Sequence, residues 1–353
     1  MKKAFSLAVL LLVCALFLVS CGNKQDKSSD TAPQVLNIYS WSDYYAPEVI
    51  AAFEQQNNCK VTYDVFANNE EMLAKIQAGG AQFDIIQPSD YMVTTMLKLG
   101  LLEKLDLTQI PNLKNLSPDL QKPPFDPTGE YAPIYTNGIT GIVYNKKYIS
   151  TPPTSWADLW NPAYQGHVIV LNDAREVFSV ALKKHGFSNN STNPAEVASA
   201  YEDLQKLNRN ILAYDTENIK QKFIAEEAWL GIMWSGDASY TLRENPNIGF
   251  IIPEQGTLIW ADTIAIPKGC KNKVLAQKFI NYMYDPAVSA KNFAYINLPN
   301  PNAAAVKLMP ASYRQDPFLT LGSSAAHKGE WLVDIGDSIT MYDRYWTRLK
   351  TAK

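Results

Sequence analysis

Five short clusters in this sequence combine aromatic, carboxylate and small polar side chains: Trp41-Ser42-Asp43-Tyr44, Ser89-Asp90-Tyr91, Asp173-Ala174-Arg175-Glu176, Trp234-Ser235-Gly236-Asp237 and Trp260-Ala261-Asp262. Each of Trp41, Trp234 and Trp260 has a carboxylate within three residues. Along an extended segment, Trp41-x-Asp43 and Trp260-x-Asp262 set indole and carboxylate on the same face. That combination suits a flexible organic polycation. Aromatic faces attract ammonium groups, at roughly 0.5–2 kcal/mol each when desolvated. Carboxylates supply the charge-assisted hydrogen bonds that offset an ammonium's lost hydration. The acidic inventory is Asp43, Asp173, Glu176, Asp237 and Asp262, with Arg175 the one opposing charge near them. A carboxylate ligand calls for the reverse, an arginine fork or exposed helix N-termini with few acids. A neutral sugar calls for the aromatics without so many acids.

Each cluster also has a purely structural reading. Ser42, Ser89 and Asp173 suit the N-caps of the helices that follow, and Asp173 and Glu176 have capping-box spacing. Asp237 after Gly236 suits a turn. The tryptophans fit such readings less well, because Trp41, Trp234 and Trp260 are expected at or beside strand ends rather than at strand centres. Several function classes are excluded by what is missing. His167, His185 and His327 are far apart with no H-E-x-x-H, which argues against a zinc hydrolase. No G-x-S-x-G, Walker loop or G-x-G-x-x-G is present, and no cofactor is implied.

The elements that must position these clusters alternate. From Val35 to about Ile110, short apolar runs (35–39, 61–66, 83–87) alternate with amphipathic stretches (47–56, 70–78, 92–99). After a Pro/Asn-rich segment and the run 131–144, a second series begins: 156–159, 168–171, a helix over 175–185, then 194–207, 211–214, 216–225 and 229–234. A strand over 258–266 leads into a helix over 273–282. Such alternation predicts mostly parallel sheets covered by helices on both faces. Four clusters follow predicted strands, at the carboxyl edge where open α/β sheets bind ligands. Drawn from two α/β series, they imply two sheet edges facing one cleft.

The chain has 353 residues, too many for one core, so two domains are expected. Its net charge of −3 argues against a general nucleic-acid binder. Lys2-Lys3 followed by the apolar run from Ala4 to Val19 has the layout of an export signal. At 16 residues the run falls short of the roughly 20 that span a bilayer. It ends in Leu18-Val19-Ser20-Cys21-Gly22, which matches the lipobox of bacterial lipoproteins, so 1–20 is expected to be removed and Cys21 to carry lipid such as palmitate. Residues 21–34 are almost wholly polar and are expected to be a flexible tether, holding a globular body outside the cytoplasmic membrane. Only Cys59 and Cys270 then remain, and two buried free thiols are expected. With no heptad or dimer patch evident, a monomer is expected.

Longer stretches carry a resemblance. Leu36-Asn37-Ile38-Tyr39-Ser40-Trp41-Ser42-Asp43-Tyr44, Pro88-Ser89-Asp90-Tyr91, Thr154-Ser155-Trp156-Ala157-Asp158-Leu159-Trp160, Asp173-Ala174-Arg175-Glu176-Val177-Phe178 and Trp260-Ala261-Asp262-Thr263-Ile264-Ala265-Ile266-Pro267 together resemble the spermidine/putrescine-binding proteins of bacterial ABC importers. The resemblance runs from about Val35 to the C-terminus. It implies a two-lobed, type II periplasmic-binding-protein-like α/β fold with the ligand cleft between lobes. Lobe 1 would take 35–138 and 261–306, lobe 2 139–260 and 307–353. It implies ligand contacts at Trp41, Ser42, Asp43, Tyr44, Ser89, Tyr91, Asp173, Glu176, Trp234, Trp260 and Asp262, with Asp262 and Glu176 holding amines and Trp260 and Trp234 walling the alkyl chain. Trp234-Ser235-Gly236-Asp237 is more similar to the putrescine-preferring members, and Leu298 and Leu332 stand where the spermidine-preferring type has tyrosine and glutamine. The implied partners are a polyamine, a membrane permease and its ATPase, and no enzymatic activity is expected.

Two other readings stay open on the residues alone. The same fold could bind another cation, ferric iron through tyrosinates or thiamine through the aromatics. Paired acids with aromatic walls are also the chemistry of a glycoside hydrolase.

Overall fold

A computed structural model describes residues 33–79, 82–320 and 329–351. The expected leader 1–20, the lipidation site Cys21 and the expected tether through residue 32 lie outside the described residues. The alternating apolar runs fold as two sheets. The smaller holds β1 (Gln34–Ser40), β2 (Cys59–Val65) and β3 (Ile85–Ile86) in the order β2-β1-β3, with β1 and β3 parallel. Between and after them run α1 (Pro47–Asn57), α2 (Asn69–Gln77) and α3 (Asp90–Lys98). Alternation along β1 decides what each helix covers: Leu36 and Ile38 join a core with Val49 and Phe53 of α1, while Tyr39 joins Met72 of α2 and Met96 of α3. Pro47 opens α1, where its missing N–H costs nothing.

The larger sheet is built in chain order from β4 (Ile134–Asn145), β5 (Val168–Val170), α4 (Ala174–Lys184), α5 (Pro194–Leu207), β6 (Ile211–Tyr214), α6 (Ile219–Ile224), β7 (Leu230–Trp234), α7 (Ser235–Glu244), β8 (Ile248–Ile251), β9 (Thr257–Thr263) and β10 (Gly329–Trp331). The strand order is β10-β9-β4-β7-β5-β6, with β8 also on β4. This corrects the expectation of mostly parallel pairing. β5 is parallel to β6 and β7, but the 12-residue β4 is antiparallel to β7, β8 and β9. A helical crossover is required only between parallel neighbours, so the antiparallel pairings of β4 do not need the strand–helix alternation that the sequence pattern reads as parallel.

The strands β4 and β9 carry two of the expected lobe divisions. Gly138 faces Trp260 and Asn137 faces Ala261 in the β4–β9 ladder, so the expected divisions at 138/139 and 260/261 fall inside one antiparallel pair. Beyond it the chain continues onto the smaller sheet, where Ala265 bridges Ile86 and Asp262 bridges Ser89. The helix Lys273–Met283 then packs Phe279 edge-on against Phe53, ring centroids 5.0 Å apart. The result is a two-lobed α/β fold with a cleft between lobes. Cys59 is buried and Cys270 half-buried, both free, and the Cys270 thiol donates to Asp84 Oδ1 at 3.3 Å.

Candidate ligand-binding cleft

All twelve residues singled out above border one cleft of about 280 Å³: Trp41, Ser42, Asp43, Tyr44, Ser89, Tyr91, Asp173, Glu176, Trp234, Asp237, Trp260 and Asp262. The first four follow β1, the next two follow β3, Asp173 and Glu176 follow β5, and Trp234 and Asp237 straddle the end of β7. These are the carboxyl ends of parallel strands. Trp260 departs from expectation. It is the middle residue of the seven in β9, not a strand end. Its indole reaches the cleft because the facing residue is glycine. A Cβ at Gly138 would lie 2.5 Å from the Trp260 ring.

One corner is organised around Asp262. Its Oδ1 accepts from Ser89 Oγ at 2.6 Å, and its Oδ2 accepts from the Tyr44 hydroxyl. Ser89 is held in turn by Asn69, whose side chain donates to Ser89 Oγ and accepts from Ser89 N–H, both at 3.0 Å. Burial pushes the Asp262 carboxyl up to about 6, and the two donors keep it from rising further. The cap readings are corrected here. Ser89 occupies the N-cap position of α3 but spends its hydroxyl on Asp262, and Ser42 caps nothing, because α1 starts at Pro47 after Ala46. Asp43 sits in the left-handed backbone region, at φ 57°.

The opposite corner holds Asp173 and Glu176. Asp173 does cap α4, accepting from Glu176 N–H at 3.0 Å. The reciprocal half of a capping box is absent. Glu176 Oε1 instead accepts from Trp234 Nε1 at 2.9 Å, and among the described residues Oε2 has no close hydrogen-bond partner, with the Thr140 hydroxyl only loosely directed at the carboxyl, although Glu176 is only 3 % exposed. Burial first, and then the Asp173 charge, push the Glu176 carboxyl up to about 8. The Trp234 and Trp260 rings stand 6.1 Å apart at 59°, forming an aromatic corner beside it. Trp41 donates from Nε1 to the Gln87 carbonyl at 3.1 Å and packs on Phe66. Tyr91 donates to Glu70 Oε1 at 3.0 Å.

Arg175, expected to be the opposing charge, does not border the cleft. Its guanidinium donates to the Val333 carbonyl at 3.1 Å and to Asn190 Oδ1 at 2.9 Å, between the rings of Tyr91 and Tyr342. It clamps the segment after β10, and so seats Leu332, which borders the cleft along with Leu298. The cation that does border the cleft is Lys220, whose Nζ lies 3.1 Å from Asp237 Oδ1. Asp90 borders the cleft as well. It is fully buried with Oδ2 unpaired among the described residues, and burial pushes its carboxyl well above the usual range. Asp90 belongs to the Pro88-Ser89-Asp90-Tyr91 motif, and Lys220 follows β6 at the same sheet edge.

A model of the bacterial extracellular solute-binding protein family matches residues 48–320. The chain is 36% identical over 321 residues to the spermidine/putrescine-binding periplasmic protein of Salmonella typhimurium, covering 90% of this chain and 92% of that one. It is 32% identical over 341 residues to the putrescine-binding periplasmic protein of Escherichia coli, covering 91% and 92%. Among solved structures, a putative spermidine/putrescine ABC transporter from Listeria monocytogenes matches with a TM-score of 0.87 at 34% identity, covering 91% of this chain and 100% of that one. With a two-lobed fold, a cleft lined from both sheets and relatives matched over nine-tenths of its length, the chain belongs to the bacterial extracellular solute-binding protein family, as a binder of solutes and not an enzyme.

Proposed function

We propose that this chain is the extracytoplasmic, lipid-anchored receptor of an ABC importer and captures a polyamine, putrescine or spermidine, between its lobes for delivery to a membrane permease and its ATPase. The observation that carries this reading is Glu176 Oε2, a carboxylate oxygen without a close partner among the described residues, buried beside a second acid and two indoles. An ammonium is the group that such an oxygen lacks, and the indoles suit the methylenes between two amines. Asp262 holds the other amine, and the twelve residues named above are the contact set. The lobes part at 138/139 and 260/261, and closing them on the ligand strengthens each ammonium–carboxylate contact by excluding water. Relatives whose names specify spermidine and putrescine support the ligand class.

Ferric iron fits less well. Tyr44 and Tyr91 are held protonated by burial and by the carboxylates they donate to, Asp262 and Glu70, which disfavours tyrosinate ligands. The lipid anchor rests on the Leu18–Gly22 sequence, and a relative from Treponema pallidum, 28% identical with a TM-score of 0.80, is itself described as a lipoprotein. Mass spectrometry of the processed N-terminus tests it: a diacylated Cys21 is expected, and an unmodified Cys21 contradicts it. Titration calorimetry tests the ligand, using the chain from residue 22, stripped by unfolding and refolding. Saturable 1:1 binding of putrescine or spermidine, weaker at high salt and absent with glucose and glutamate, is expected. No heat from any polyamine overturns the reading.

A further inference from the structure

The cleft contains its own ammonium group. Lys220, in the first turn of α6, places Nζ 3.1 Å from Asp237 Oδ1, and Nζ also lies 5.8 Å from the centre of the Tyr240 ring. Tyr240 is three residues beyond Asp237 on α7, so the lysine is docked across the first turn of one helix. Both partners are partly withdrawn from water, with side-chain exposures of 32% for Lys220 and 16% for Asp237. Lys220 is thus held by groups of its own lobe. Among the described residues bordering the cleft it is the only lysine or arginine, set against seven carboxylates.

We propose that Lys220 is a specificity-determining residue: it occupies the Asp237 corner as a resident third cation and restricts the cleft to a dication. The inference rests on the polyamine reading. Four of the seven acids form three corners, while Asp43 acts on Lys220 beside Asp237, and Asp90 and Glu217 lie elsewhere along the wall. Among the described residues neither Asp262 nor the Asp173–Glu176 pair has an ion-pair partner in contact, although the Arg175 charge acts on that pair from behind, whereas Asp237 already has one. Two vacant anionic corners match the two ammonium groups of a diamine. A third ammonium directed at Asp237 meets Lys220 Nζ and must either displace it or sit beside a like charge. Leu298 and Leu332 border the cleft with apolar side chains and offer that third amine nothing. A surface ion pair of this kind is ordinarily worth little to the fold. Its position within the cleft gives it an effect on ligand choice that exceeds its effect on stability.

The test compares putrescine with spermidine by calorimetry on the chain from residue 22, as wild type, Lys220→Met, Lys220→Arg and the double variant Lys220→Met/Asp237→Asn. Lys220→Met keeps the stem and removes the charge, and is expected to raise the spermidine-to-putrescine affinity ratio at least tenfold. Lys220→Arg is expected to keep the wild-type ratio. The double variant is expected to return towards the wild-type ratio, because the vacated corner then has no carboxylate to offer. Lys222→Met, at a neighbouring lysine that does not border the cleft, controls for net charge and is expected to leave the ratio unchanged. Wild-type binding of a polyamine with the same ratio in Lys220→Met overturns the inference alone. Equal shifts in Lys220→Met and Lys222→Met also overturn it, since the effect is then one of net charge. Failure of the wild type to bind either polyamine overturns the reading beneath it.

Discussion

Two corners of the cleft hold buried carboxylates in opposite states of readiness. Asp262 is satisfied before any ligand arrives, with Ser89 and Tyr44 donating to its two oxygens and Asn69 holding Ser89. Glu176 has one close donor, Trp234, a looser one in the Thr140 hydroxyl, and among the described residues an unpaired Oε2 beside Asp173. The difference shows in their acidities: burial affects both, but the Asp262 carboxyl rises only to about 6 and the Glu176 carboxyl to about 8. A prearranged acid fixes where a cation sits. An acid left short of partners gains most when the cation comes, and the empty fold bears the cost until then.

The largest effect is expected from breaking the less satisfied corner. Glu176→Gln keeps the Trp234 hydrogen bond within reach and removes the charge, and polyamine affinity is expected to fall by about 100-fold, near the upper end of what a buried charged hydrogen bond contributes. The same variant is expected to melt higher than wild type without ligand. The unfolded chain releases this proton near 4.5, whereas the fold retains it to about 8. Ionisation therefore favours unfolding increasingly as pH rises between those values. Thermal melts of the empty proteins at pH 5 and pH 8 check this: the gap between Glu176→Gln and wild type should widen at pH 8.

Asp262→Asn comes next, with a loss of roughly 10- to 100-fold and no gain in melting temperature, because its two donors lose their charged acceptor. Third, wild-type affinity is expected to rise about tenfold per pH unit from pH 6 to pH 8 and then level off, as one proton ceases to compete with the ligand at Glu176. Calorimetry across that range reads it, and Glu176→Gln should flatten the profile. The smallest effect is expected from Ser89→Ala. Losing one hydrogen bond of about 1 kcal/mol should weaken binding several-fold and raise the Asp262 carboxyl above 6, which NMR titration can follow.

Much of this cleft was legible because parallel strands deliver their following residues to one edge. Trp41 after β1, Ser89 after β3, Asp173 after β5 and Asp237 after β7 all followed from that rule. Applied to β6, which runs parallel to β5, the rule also points to Lys220, but its segment carries no aromatic–acid pair to draw attention. Trp260 shows a different limit. Its access to the cleft depends on Gly138, which only the β4–β9 register brings opposite it. α7 was hidden because Ser235-Gly236-Asp237 reads as a turn, yet the helix forms where tertiary packing buries Gly236, Ala238 and Thr241. Local sequence could not assign the hydroxyl of Ser89 to Asp262 over the α3 N–H groups, since that choice lies between residues 173 positions apart.

The central claim, that Glu176 is the carboxyl waiting for an ammonium, is tested most directly by counting protons. Putrescine binding at pH 7 should be measured calorimetrically in two buffers of different ionisation enthalpy. The account predicts release of close to one proton per putrescine in the wild type and almost none in Glu176→Gln at concentrations that still saturate it. Binding whose heat is the same in both buffers would contradict it, because Glu176 would then be ionised already or remote from the bound amine.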